Sequence, residues 1–219
     1  MKIKVCGLTQ ADNIMAIKAT GVDMLGFIFH EGSPRDVSKN VELAKWLNSH
    51  KEELEGVNRV GVFVNAEVDY ILNTIHDYGL THVQLHGNES AGYCRELQLL
   101  WSVSTRYKAG LTKAFRIDEE FDFNSTNDYT GACEWFVFDT KSDQAMGGTG
   151  HSWDWSRLQE YQGLTPFLLS GGIEVGDADQ IAKLQHPQLW GVDINSGFEQ
   201  SPGIKDAELV RQFVEAMHR

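Results

Sequence analysis

Residues 21–32 read GVDMLGFIFHEG: a glycine, two further residues, an apolar run and then a polar loop. A left-handed backbone costs glycine little, so a glycine just before an apolar run marks a helix that stops and a strand that begins. The phrase returns as GVNRVGVFVNAE from Gly56, GLTHVQLHGNES from Gly79, GLTKAFRIDEE from Gly110, GLTPFLLSGGIE from Gly163 and GVDINSGFEQ from Gly191. Between the repeats, residues 11–19, 41–47, 68–78 and 178–184 carry apolar side chains at helical spacing. Strands are expected at 2–5, 24–29, 59–64, 82–85, 112–117, 135–138, 166–170 and 191–194. Strand alternating with helix means parallel strands, because each crossover returns the chain to the same edge. Eight such units in 219 residues predict a closed α/β structure, a (β/α)8 TIM barrel that takes up 1–219 as one domain. The unit after the fifth strand, within 119–131, is weakly patterned and is expected to hold only a short helix.

The bulk numbers narrow the function. An apolar content of 42% supplies a sizeable core and excludes a disordered chain. The net charge of -12 argues against a nucleic-acid partner, which would call for excess Lys and Arg. It leaves room for a small phosphorylated ligand, since backbone N–H groups can hold a phosphate without net positive charge. Three cysteines without metal spacing point to a reducing compartment. With no leader pattern and no long apolar run, a cytoplasmic protein without membrane attachment is expected. The Met1 start suggests a free-standing chain, and the choice between monomer and homodimer stays open.

In such a barrel the strand ends and the loops after them build the active site. Cys6, between the first strand and Gly7, lies at such an end, and Lys4 shares its strand face. Taken alone, a cysteine is more often an inert small hydrophobe. The second strand runs into FHEGSPRDVS, which puts Arg35 on a top loop where its guanidinium can grip a ligand carboxylate. The plainer alternative is a surface pair with Glu31 or Asp36. The fourth strand brings Gln84 and His86 to the mouth, and the fifth leaves Arg116 and Asp118 near the rim. In WFVFDTK, four apolar residues run into Asp139, a candidate general acid with a pKa raised by burial, or else a helix cap or a partner of Lys141. The glycine-rich stretch MGGTGHSWDWS is long enough to fold over a substrate, with Asp154 placed to cap the next helix.

The seventh and eighth strands end in Ser170-Gly171-Gly172 and Asn195-Ser196-Gly197. Glycine-bearing loops at these two positions are where barrels recurrently bind phosphate. There is no HExxH, CxxC, P-loop or complete GxGxxG, so neither a metal nor a nucleotide cofactor is expected. A phosphate grip facing a thiol on one wall and a carboxyl on another suits proton movement on a phosphorylated sugar: isomerisation, epimerisation or ring opening.

Block after block, the chain resembles the phosphoribosylanthranilate isomerase family: KVCGLT, SPRDVS, VGVFVN, VQLHGNES, FVFDTK, GGTGHSWDWS, LLSGGI and GVDINSGFEQSPGIKD. The blocks occur in the family's order and touch every strand but the fifth. The departures are His30-Glu31-Gly32 after the second strand and His151 where Lys is frequent. The resemblance implies a ribulose-phosphate-binding type of barrel and a cofactor-free Amadori rearrangement of phosphoribosylanthranilate in tryptophan biosynthesis. It implies Cys6 as general base, Asp139 as general acid and Arg35 beside the anthranilate carboxylate. It further implies Asp193 near the ribose, with Gly171, Gly172, Ser196 and Gly197 around the phosphate. His86 and Lys4 complete the substrate-facing set, Lys4 as a cation expected to lower the Cys6 pKa. Two alternatives stand beside it: the histidine-pathway isomerase, which has an Asp in place of Cys6, and a barrel that binds a ligand or partner without catalysis.

Overall fold

The computed structural model describes residues 1–103, 109–140 and 154–218. Eight parallel strands close in chain order: β1 (Lys2–Val5), β2 (Met24–Phe29), β3 (Asn58–Phe63), β4 (His82–Leu85), β5 (Gly110–Ile117), β6 (Trp135–Thr140), β7 (Phe167–Ser170) and β8 (Leu189–Ile194). β8 pairs back on β1 from Lys2↔Gly191 to Val5↔Ile194, which makes the expected barrel. Helices α1 (Ala11–Lys18), α2 (Val41–Ser49), α3 (Val68–Tyr78), α4 (Ala91–Val103), α5 (Ala178–Ala182) and α6 (Ala207–Met217) surround it. The weakly patterned unit after β5 is a 3-10 segment, Phe123–Tyr129, and a second one, Trp155–Glu160, precedes β7. Asp154 caps the latter by accepting the Ser156 N–H, as its position in the sequence suggests.

The glycine phrase has two physical origins. Gly79 caps α3 in the left-handed region at φ 59°, which is the helix-ending role read from the sequence. Gly110 and Gly191 instead lie inside strands. A side chain at Gly191 would run into the Lys2 carbonyl, so there the absence of a Cβ lets β8 close on β1.

Strand alternation sorts the core into two bodies. Outward-facing Ile3, Leu25, Phe27, Phe63, Phe136 and Phe138 pack under the helices. Each such side chain, fully buried, contributes about 1.5–3 kcal/mol. Inside the barrel Met24, Val60, Ala114, Trp135, Val137 and Leu168 form a separate apolar plug. Buried polar side chains, Lys4, Gln84, Thr112 and Asp193 among them, lie on the strands around that plug. After β8 a short antiparallel hairpin, β9 (Glu199–Ser201) and β10 (Ile204–Lys205), leads into α6. Asp206 caps α6 through the Glu208 and Leu209 N–H groups, while Val210, Phe213 and Val214 bury its apolar stripe. Among the described residues no helix is long and apolar enough to cross a membrane.

Candidate active site

β1 delivers Cys6 to the mouth, and the Cys6 N–H bonds the Ile194 carbonyl at 2.9 Å, so the last strand fixes the end of the first. Next to it on β2 stands Gly26, where a Cβ would lie 2.9 Å from the Cys6 Sγ. The thiol therefore occupies interior space that this glycine leaves open. Lys4, one inward position below, is fully buried and donates to Asp193 Oδ2 on β8 at 2.6 Å. Lys4, Cys6 and Asp193 thus form one cluster at the β8–β1 seam.

Burial pushes the Cys6 thiol up, and Lys4 pulls it back down without winning. The sequence-based expectation is corrected in part: Lys4 acts in the direction foreseen, but its charge is already engaged by Asp193, and the thiol ends above its ordinary value. Burial likewise pushes Asp193 up, against the opposing pull of Lys4. Asp193 Oδ1 is buried and has no hydrogen-bond partner among the described residues. An orphan acceptor of this kind costs about 1–3 kcal/mol unless a ligand or water donates to it.

Asp139, near the end of β6, faces His86 from the end of β4, with His86 Nε2 3.2 Å from Asp139 Oδ2. His86 Nδ1 in turn meets Gln84 Nε2 at 3.1 Å. Burial raises the Asp139 carboxyl, but hydrogen bonds from His86, Ser170 and the Thr140 N–H outweigh it and hold the group below the usual carboxylate range. The expectation of a raised pKa is therefore wrong: the apolar run before Asp139 signals burial but not the donors that other strands bring to it. Lys141, the alternative partner, and the glycine-rich stretch up to residue 153, His151 included, lie outside the described residues.

Arg35 pairs with neither Glu31 nor Asp36. Its Nε and Nη2 bond Glu199 Oε1 and Oε2 at 2.8 and 2.6 Å, a bidentate fork to the hairpin beyond β8. Glu31 pairs instead with Lys39. Glu199 takes the Nε–Nη2 edge of the guanidinium, so a ligand carboxylate would approach by the Nη1 edge. Gly171 and Gly172 both have positive φ, 91° and 67°, and a 3-10 turn, Val175–Asp177, follows them. A Cβ at Gly197 would lie 2.5 Å from the Ile173 carbonyl oxygen, so the loops after β7 and β8 touch there. Ser196 opens the 3-10 turn Ser196–Phe198 beside that contact. The four residues read from the sequence as a phosphate grip are thus brought together.

Three charged residues escape a reading of the sequence. Glu199 and Lys205 sit in the block after β8 that carries the family likeness, yet nothing in their spacing assigns either a role. Lys113 is buried outside the barrel wall, where its Nζ bonds the Gly87 carbonyl at 2.8 Å and Glu89 Oε2 at 3.2 Å. Glu89 also accepts the Asn65 and Gly87 N–H groups, so this pair anchors the loop that follows His86. A signal existed: Lys113 shares strand parity with Leu111, Phe115 and Ile117, the apolar face of β5. Arg116 is exposed, next to Asp139 in register. The three cysteines are free and buried.

Comparison with known proteins adds an independent line. Residues 3–216 match the family described as N-(5'phosphoribosyl)anthranilate (PRA) isomerase. The chain is 40% identical over 214 residues to the N-(5'-phosphoribosyl)anthranilate isomerase of Phocaeicola vulgatus, covering 98% of this chain and 96% of the relative. Among solved structures, the phosphoribosyl anthranilate isomerase of Thermus thermophilus superposes with a TM-score of 0.81 at 24% identity, over 100% of this chain and 98% of that one. A phosphoribosyl anthranilate isomerase in complex with reduced 1-(o-carboxyphenylamino)-1-deoxyribulose 5-phosphate gives 0.75 at 26% identity, over 100% and 98%.

Proposed function

The chain belongs to the N-(5'-phosphoribosyl)anthranilate isomerase family, and from that premise we propose how its strand ends divide the work. It is an isomerase of tryptophan biosynthesis that converts N-(5'-phosphoribosyl)anthranilate into 1-(2-carboxyphenylamino)-1-deoxyribulose 5-phosphate. The reaction needs a proton delivered to the furanose ring oxygen and another taken from ribose C2. The placement of Cys6 just after β1 and Asp139 on β6 at one barrel mouth carries the assignment of those two tasks.

Asp139, paired with His86, delivers the first proton. Because the carboxyl is held low, the pair as a unit is the acid: a proton shared between the ring nitrogen and Oδ2 passes to the ring oxygen as the C1–O bond breaks, leaving a protonated Schiff base. Cys6, as thiolate, then removes the C2 proton, and the electron pair moves into a C1–C2 double bond and neutralises the nitrogen. The enolamine relaxes to the ketone as C1 gains a proton and the C2 hydroxyl loses one. Arg35 takes the anthranilate carboxylate, the Asp193 Oδ1 accepts from a ribose hydroxyl, and Gly171, Gly172, Ser196 and Gly197 receive the phosphate. Residues 1–219 act as one unit, and the three free thiols favour the reducing cytoplasm.

The test is turnover of freshly made phosphoribosylanthranilate, followed by its fluorescence, in the parent and in Cys6→Ser and Asp139→Asn. Each variant is expected to lose at least about a hundredfold in kcat, the scale of a lost acid or base. A folded variant that keeps the parent's kcat would remove that residue from the assignment.

A further inference from the structure

The segment after β8 builds a second charged cluster against Cys6. Lys205, on β10, is buried, and its Nζ bonds Asn195 Oδ1 at 2.6 Å and Glu199 Oε1 at 2.5 Å. Its main chain is clamped at both ends: Lys205 N–H donates to Asn13 Oδ1 at 2.9 Å, and Asn13 Nδ2 donates to the Lys205 carbonyl at 2.8 Å. Glu199 holds Arg35 by its fork and also accepts the Gly203 N–H. The cluster lies against the residue after the thiol. A Cβ on Gly7 would fall 2.6 Å from Arg35 Cδ and 2.9 Å from Asn195 Oδ1.

The charges around the thiol do not cancel. Four ionisable groups bear on Cys6: Lys4 from its own strand, Asp193 from β8, Lys205 from β10 and Arg35 from the loop after β2. Lys4 and Asp193 form one ion pair and neutralise each other. Arg35 and Lys205 share the one carboxylate of Glu199, so this triad keeps a surplus positive charge. A buried surplus charge of this kind is costly until an anion meets it. Cys6, when ionised, would supply such an anion on the free enzyme.

We propose that Lys205 is a positioning residue of the isomerase: held by Glu199 and Asn195, it supplies the surplus positive charge against which Cys6 ionises. The proposal rests on the reading of Cys6 as the base. Burial works against the thiolate, and Lys205 counters it, adding to the pull of Lys4. Lys4 pulls harder on the thiol than Lys205 does, but it brings Asp193 with it, whose charge works against the thiolate.

The experiment measures iodoacetamide alkylation of Cys6 against pH, read by peptide mass mapping on the free enzyme, in the parent and in Lys205→Met. The inflection is expected to move up by about one pH unit or more, and kcat at pH 7 to fall about tenfold with the thiolate fraction. Lys205→Gln, which keeps a donor for Glu199 but drops the charge, is expected to move it the same way and serves if the Met variant does not fold. An unmoved inflection in either folded variant overturns the proposal, even if kcat falls, because a purely structural lysine would lower activity without moving the thiol. Cys6→Ser separates the two ideas. If it keeps full kcat, the base assignment fails; if it is inactive and the inflection still does not move, only the role of Lys205 is refuted.

Discussion

Replacing Gly26 by Ala tests whether the site depends on the space beside Cys6. The added methyl would lie 2.9 Å from both the Cα and the Sγ of Cys6 and 3.2 Å from its Cβ, where ordinary contact begins at 3.4 Å. Relief requires about 0.5 Å of movement, and the Cα cannot swing aside as a side-chain tip would. Either the β1–β2 seam opens or the thiol is displaced. Misplacing a reacting group by about 1 Å costs on the order of a hundredfold, so half of that predicts roughly a tenfold loss of kcat. Overpacking adds about 1–3 kcal/mol of destabilisation. The assay is substrate-fluorescence turnover beside urea unfolding, with Gly92→Ala as control. Gly92 lies in α4, where a Cβ would meet only Ser90 Oγ at 3.5 Å. That control should gain about 0.5–1 kcal/mol and keep its kcat. A Gly26→Ala enzyme with kcat within about twofold of the parent would refute the claim that sub-ångström placement of the thiol limits the rate.

Two further outcomes follow from the buried charges. Asp193→Asn leaves the fully buried Lys4 ammonium without its counter-ion and should cost about 3–5 kcal/mol in urea unfolding, while Lys4→Met combined with Asp193→Leu should recover most of that; a loss under about 1 kcal/mol in the single variant would show the pair to be well solvated. The Glu199 carboxyl is pushed up by burial but held lower overall by Arg35, Lys205 and the Gly203 N–H. Its contribution to stability is complete above the unfolded carboxyl value of 4.5 and is lost as pH falls through the lower folded value. The parent's urea midpoint should therefore drop more steeply below pH 4.5 than that of Glu199→Gln, and parallel curves would contradict the assignment.

The barrel was legible because its signals are local. A glycine, an apolar run and a polar loop describe one strand and its flanks, and each strand expected from them is present, three with the expected ends and five with ends shifted by one or two residues. Gly110 and Gly191 show where the local rule stops: their place in the phrase is the same as that of Gly79, yet Gly191 makes room for the Lys2 carbonyl at the barrel seam and Gly110 makes room for the His82 and Glu134 side chains, neighbours far away in sequence. The site was legible as a set of strand ends. Cys6 and Asp139 stand where the run of residues put them, and the glycine loops after β7 and β8 meet. What could not be read was the pairing. The Arg35–Glu199 fork, the Lys4–Asp193 pair and the His86–Asp139 contact each join distant stretches of chain. The direction of the Asp139 shift went astray for the same reason, since two of the donors that decide it, His86 after β4 and Ser170 on β7, come from distant stretches.

The seam between β8 and β1 also sets an order of assembly during synthesis. The Asp139–His86 side of the mouth is encoded in the middle of the chain. Cys6 leaves the ribosome well before the groups that surround it, Asp193, Asn195, Glu199 and Lys205. A nascent chain therefore carries its thiol through the synthesis of β2 to β7 without those neighbours. A message cut short after β7 would yield a polypeptide that has Cys6 but lacks Asp193, Asn195, Glu199 and Lys205, so its thiol would stand without the charges that surround it in the closed barrel.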